Sequence, residues 1–178
     1  MGKPAKPAAS ALVADIGGTN ARFAIADLET LKLSEIRQFL CAEHASIESA
    51  AQLYLAGLKE RPCRGAIAVA APLAGGEIKL TNSVWSFTAE SLATAASLDD
   101  ILLLNDFEAL ALSLPHLRAE DLHQIGGGGP AAQATKVVLG PGTGIGVAGL
   151  AWSGAGWFAV PSEGGHISLA AHTRHEFE

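Results

Sequence analysis

Asp106, preceded by Asn105, ends the apolar run Ile101-Leu-Leu-Leu. A carboxylate there can accept a proton from a substrate hydroxyl, and the neighbouring carboxamide can fix that hydroxyl by hydrogen bonding. Both residues are also favoured helix N-caps, and on this stretch alone the two readings stand level. A second apolar run ends at Asp15 and leads into Gly17-Gly18-Thr19-Asn20. Paired glycines followed by Thr-Asn form a tight turn whose backbone N–H groups can face an anion, with a plain hairpin turn as the alternative. If a triphosphate binds at that turn, Asp15 is suited to hold its magnesium, directly or through water. Glu163-Gly-Gly-His166 places a carboxylate and an imidazole on one loop, a combination matched to gripping vicinal hydroxyls. The two glycines disfavour the helix that a Glu-x-x-His metal pair would need. Asn82 is a candidate substrate hydrogen-bond donor, whereas Trp85 and Phe87 in the same polar-aromatic loop are expected in the core.

Positioning these groups requires a mixed sheet. Residues 11–15 and 21–26 read as an antiparallel strand pair around the glycine turn, with 31–40 as a third strand. An amphipathic helix is expected over 47–58, with Ile47, Ala50, Ala51, Tyr54, Leu55 and Leu58 on one face and Ser46 as N-cap. Residues 65–71 read as a buried strand that turns back through 73–77 into 78–81, and 89–96 as a short helix. Residues 101–104 read as a strand buried on both faces, feeding a helix with Phe107, Leu110, Ala111 and Leu114 on one side. Asn105 and Asp106 therefore fall at a strand-to-helix turn, the edge where α/β sheets bind ligands. Pro115, a mixed polar run and Gly126-Gly-Gly-Gly-Pro130 mark a change of domain. The expected division is a disordered tail over 1–10, a small α/β domain over 11–116, and the start of a second, incomplete α/β domain over 117–178. In that second part 136–139, 145–150 and 157–160 read as strands, the first two joined by Gly140-Pro-Gly-Thr-Gly-Ile-Gly146.

The bulk numbers narrow the class. Of 178 residues, 49% are hydrophobic and 17% charged, enough for a real core. The net charge of −6 is spread along the chain, which speaks against a nucleic-acid surface. Cys41 and Cys63 stand alone, without a CxxC or a His at ligand spacing, so neither a disulfide framework nor a zinc site is expected and a reducing cytoplasm fits. No apolar run approaches the roughly eighteen residues of a membrane helix.

Two further patterns need weighing. The units Val13-Ala-Asp-Ile-Gly-Gly-Thr-Asn20 and Val137-Val-Leu-Gly-Pro-Gly-Thr-Gly144 resemble each other, as if each supplied one backbone nest to a polyphosphate. Thr19 and Thr143 would add hydroxyl donors. Gly144-x-Gly146-x-x-Gly149 also matches the dinucleotide fingerprint, but that fingerprint must open a helix, and 147–156 is too rich in glycine to form one.

Taken in order, Leu12-Val-Ala-Asp-Ile-Gly-Gly-Thr-Asn-Ala-Arg-Phe23, Leu104-Asn-Asp-Phe-Glu-Ala109, Leu139-Gly-Pro-Gly-Thr-Gly-Ile-Gly-Val-Ala148 and Glu163-Gly-Gly-His166 closely resemble the bacterial glucokinases of the hexokinase, actin and Hsp70 superfamily, across residues 11–170. The resemblance implies ribonuclease-H-like α/β domains enclosing a cleft, and ATP-dependent phosphorylation of the glucose 6-hydroxyl. Carried over by residue, it implies Asp106 as catalytic base and Asn105, Glu163 and His166 as sugar ligands. It makes Gly17, Gly18, Thr19 and Asn20 the first phosphate loop, Gly142, Thr143 and Gly144 the second, and puts Asp15 near Mg2+. The absence of a Cys/His metal cluster favours the glucokinase branch over the related repressor and sugar-kinase group. It further implies that relatives continue beyond Glu178, so little or no activity is expected of a polypeptide of this length. A sugar-sensing module without catalysis, a kinase for another hexose and another ATPase of the superfamily are the competing readings. The preferred hexose and any homodimer are left open.

Overall fold

The computed structural model describes residues 10–73, 75–80, 83–141, 144–167 and 173. The chain divides into two compact units, Met1–Asp106 and Phe107–Glu178. The boundary drawn from sequence, after residue 116, falls ten residues later.

The first unit is built on a five-stranded mixed sheet of order β3-β2-β1-β4-β7. Strands β1 (Ser10–Ile16), β2 (Asn20–Asp27) and β3 (Leu33–Leu40) form an antiparallel meander. Strands β4 (Arg64–Val69) and β7 (Asp100–Asn105) run parallel to β1. The parallel register places Ile16, Val69 and Asn105 side by side, so three strands end along one edge. This order, two antiparallel strands outside β1 and crossover connections through helices, is a ribonuclease-H-like arrangement.

Helix α1 (Ile47–Ala56) lies in the connection from β3 to β4. Ser46 caps it, accepting from the Ser49 N–H at 3.3 Å while the Ser49 hydroxyl accepts from the Ser46 N–H. Its predicted apolar face is the buried one: Ile47, Ala50, Ala51, Tyr54 and Leu55 are nearly solvent-free. Helix α2 (Ala89–Ala96) repeats the device with Thr88 and Ser91, and the Ser91 hydroxyl donates to Glu48 at 2.6 Å, tying the two helices together. The large aromatic residues keep their polar tips satisfied. Tyr54 donates to the Glu35 carbonyl at 3.0 Å and the Trp85 indole to the His44 carbonyl at 3.0 Å.

Two expectations are corrected. Strand β7 is not buried on both faces: Leu102 is 54% exposed, and Ile101 and Leu103 alone of the run pack against the core. The reason is position, since β7 is the last strand in the sheet among the described residues. Similarly, β5 (Glu77–Lys79) does not turn back onto β4 but pairs with a short strand, β6 (Ser86–Thr88), in a separate ribbon. Trp85 and Phe87 are core residues as expected.

The second unit opens with α3 (Asp106–Ser113), whose first residue belongs to unit 1. Strands β8 (Lys136–Pro141), β9 (Ile145–Trp152) and β10 (Trp157–Ser162) form an antiparallel meander. A small core gathers Ala111, Ala148 and Leu150 with Phe107, Leu112, Leu114, Val138 and Trp157. The strand character of β9 removes the dinucleotide reading, because Gly146 and Gly149 lie inside a strand and not at the start of a helix.

Candidate functional site

Strand β1 delivers Asp15 to the sheet edge, and the chain reverses at once through residues 17–20 into β2. The reversal is tight: the Gly17 N–H donates to the Asn20 carbonyl at 2.9 Å. This N–H is therefore spent inside the turn and does not face outward. Among the described residues, the N–H groups of Gly18 and Thr19 donate to nothing, and they are the ones open to an anion.

The turn forms one wall of an open cleft of about 240 Å³ lined by Asp15, Gly17, Gly18, Thr19, Asn20, Arg22, Ala70 and Asp106. Asp106 arrives by β7, two strands along the sheet from β1, roughly 10 Å at the usual strand spacing. Ala70, just past the end of β4 between them, donates its N–H to the Ile16 carbonyl at 2.9 Å and also lines the cleft. The sheet thus holds the two carboxylates apart, both lining the cleft. Asn105 is the last residue of β7, half-buried beside Val69, and is not among the cleft-lining residues.

Arg22 was not singled out from the sequence. It sits opposite Asp15 in the β1–β2 register and donates from Nη1 to Oδ2 of Asp15 at 2.8 Å. Its Nε donates to Gln38 Oε1 at 3.1 Å, and Gln38 Nε2 donates to Asn20 Oδ1 at 2.8 Å. The guanidinium is thus held over the glycine turn by neighbours on β1 and β3. Its pair with Asp15 is about half-exposed on both sides, a class of ion pair worth at most about 1 kcal/mol. A phosphate can draw such a guanidinium away at little cost. The signal was present in the hairpin: with a turn at 17–20, position 22 faces position 15.

In the second unit, Glu163 precedes and His166 ends a single 3-10 turn, Gly164–His166, shortly after β10. His166 Nδ1 lies 3.1 Å from Glu163 Oε2, and both side chains are about four-fifths exposed. The turn is not an α-helix, so the metal-pair geometry is not formed. Gly165 packs against β9 so closely that an added Cβ would meet the Ile145 carbonyl. Glycine here is required by backbone approach. Gly144 is the residue just before β9. Phe107 lies in a slot made by Gly140 and Gly146, which oppose each other across β8 and β9; a Cβ at Gly146 would overlap the ring, and one at Gly140 would sit 2.9 Å from it. Asn82, Gly142 and Thr143 lie outside the described residues.

Among the described residues no group of three or more His, Cys, Asp or Glu could hold a metal, and no helix is long and apolar enough to cross a membrane. A magnesium ion carried on phosphates needs no such cluster, since it takes one or two carboxylates and keeps several waters. Asp15 fits that limited demand, because only its Oδ2 is engaged among the described residues.

A sheet of this order, with three parallel strands ending along one edge, is the ribonuclease-H-like fold that hexokinase-type sugar kinases share. The ROK family glucokinase from Streptomyces griseus in complex with glucose and AMPPNP shares the fold at a TM-score of 0.61 and 18% identity, over 90% of this chain and 51% of that one. The chain belongs to the glucokinase family, whose sequence profile matches residues 12–178. It is 44% identical over 171 residues to the glucokinase of Aromatoleum aromaticum and 41% identical over 168 residues to that of Cupriavidus metallidurans, covering 94% and 93% of this chain. A glucokinase crystal structure from an Antarctic psychrotroph superposes with a TM-score of 0.83 at 36% identity, over 95% of this chain and 54% of that one. The chain spans about half the length of the curated relatives it matches, 51% and 50% for the two named.

Proposed function

We propose that this chain belongs to an ATP-dependent hexose kinase that phosphorylates glucose at its 6-hydroxyl. The observation that carries the reading is a single cleft in which a carboxylate at a strand end, Asp106, shares its walls with a glycine turn and an arginine. Asp106 takes the hydroxyl proton as the sugar oxygen bonds to the γ-phosphorus and the bond to ADP breaks. The Gly18 and Thr19 N–H groups and the Arg22 guanidinium receive phosphate oxygens. Asp15 would hold Mg2+, whose contribution when bound is to neutralise charge on the phosphates. Asn105, Glu163 and His166 are assigned to the sugar hydroxyls, Asn82 to a further sugar contact, and Gly142, Thr143 and Gly144 to a second phosphate turn. Complexes of similarly folded enzymes support these ligands: a glucokinase of Balamuthia mandrillaris was solved with glucose and the Streptomyces enzyme with glucose and AMPPNP.

The test is a coupled ADP-release assay on a chain of the relatives' full length, with glucose, mannose and fructose as substrates. Glucose is expected to give the highest kcat/KM. Saturable glucose binding without ADP release would replace the kinase by a sugar-sensing module. A polypeptide ending at Glu178 is expected to show little or no turnover, and turnover equal to that of the longer chain would overturn this.

Arg22→Ala tests the phosphate assignment. Its removal is expected to raise the KM for ATP about tenfold or more, the worth of one charge-assisted hydrogen bond, while the KM for glucose stays within about twofold. Equal increases in both constants would count against a phosphate contact.

A further inference from the structure

We infer that the Cys41 thiol positions the phosphate turn: by holding the Gly17 carbonyl from beneath, it turns the Gly18 N–H out into the cleft. The inference rests on the nucleotide reading above and adds to it a residue that touches no substrate.

Three observations carry it. Cys41 follows β3 directly, and the pairing of Asn20 with Leu40 brings it under the turn. It is 3% exposed. From there it makes two contacts to the turn's backbone: its N–H donates to the Thr19 carbonyl at 2.9 Å, and its Sγ donates to the Gly17 carbonyl at 3.4 Å.

The consequence follows from peptide geometry. The Gly17 carbonyl and the Gly18 N–H belong to one planar trans unit and point in opposite directions. Anchoring the carbonyl on the buried side directs the N–H to the open side. Glycine at both 17 and 18 leaves this peptide free to rotate, so something outside the turn must choose its orientation. The thiol makes that choice as a donor, which requires S–H and not thiolate. Burial pushes the Cys41 thiol up from its ordinary value and so keeps it in the donor form. Any carbonyl-directed donor of similar size should serve, and a residue of equal volume without a donor should not.

The experiment compares Cys41→Val and Cys41→Ser with the parent in the full chain, measuring KM for ATP, KM for glucose and AMPPNP affinity. Cys41→Val is expected to weaken ATP and AMPPNP about two- to tenfold, the worth of one neutral hydrogen bond, with the glucose constant within twofold. Cys41→Ser is expected to bring the nucleotide constants back to within about twofold of the parent. Parent-like nucleotide constants in Cys41→Val overturn the inference, as does a parallel loss for both substrates that serine fails to restore. Should the valine variant not fold, the Gly18 amide resonance of the parent decides. It is expected to shift on addition of AMPPNP, and an unmoved resonance beside shifting neighbours sinks the proposal. A parent chain that binds no nucleotide at all refutes the kinase reading itself, an outcome distinct from a binding-competent parent with indifferent Cys41 variants.

Discussion

Asp106→Asn is expected to lower kcat about 10²–10⁴-fold while leaving both KM values within a few-fold of the parent. The substitution keeps the size and most of the hydrogen-bonding capacity of the side chain but removes its ability to take a proton. Asp106 is the first residue of α3, and it lines the cleft together with the glycine turn. Strand β7 ends one residue earlier on Asn105 and is secured by its pairing with β4. A loss confined to kcat, with both KM values and the fold retained, reports chemistry. Turnover within threefold of the parent would remove Asp106 from the role of base and return the strand-end pair to helix capping.

The second large effect is expected at Gly165. Substitution by Ala places a methyl group on the Ile145 carbonyl, and neither a Cβ fixed by its own backbone nor a backbone carbonyl can rotate away as a longer side chain does. The turn Gly164–His166 must lift from β9, carrying Glu163 and His166 with it. Overpacking of this kind costs about 1–3 kcal/mol of stability. If Glu163 and His166 hold the sugar as proposed, losing their placement is expected to raise the glucose KM at least about tenfold, with the KM for ATP nearly unchanged. Gly164→Ala is the internal control. Its added methyl meets the Ser162 Oγ at 3.0 Å and Val147 Cβ at 3.4 Å, both side-chain atoms with some freedom to yield. Gly165→Ala with an unchanged glucose KM, or a Gly164→Ala variant that is the more damaged of the two, would argue that the turn has no part in holding the sugar.

How far the sequence could be read depended on how local the determining physics was. The Ser46 cap and the apolar face of α1 are set by residues within one or two turns of one another, and both were legible. So was the reversal at residues 17–20, where glycine spacing and flanking alternation suffice. The burial of β7 was not. Four apolar residues in a row are compatible with a central or an outer strand, and only the order of the sheet separates them. Strand β6 escaped because three residues, Ser86, Phe87 and Thr88, give too short an alternation to stand out from a loop. Among the cleft-lining residues, Asp15 and Asp106 stand out in the sequence by ending apolar runs. Cys41 did not, because its partner Gly17 is 24 residues away and the relation exists only once β3 returns beside β2. Gly165 was legible as an obstacle to helix formation, yet the neighbour that demands it, Ile145, belongs to a different strand.

The slot that receives Phe107 binds three positions into one constraint on sequence change. Gly140 and Gly146 face each other across a strand pair, and the ring fills the volume that both leave empty. A side chain can be gained at either glycine only if the aromatic ring is lost, and a smaller residue at 107 opens a void that only growth at 140 or 146 can close. Variation at these sites should therefore be inherited as a set, with total volume conserved across the three. Aligned relatives sorted by the residue at position 107 would show it as a shared exchange of bulk between helix and hairpin.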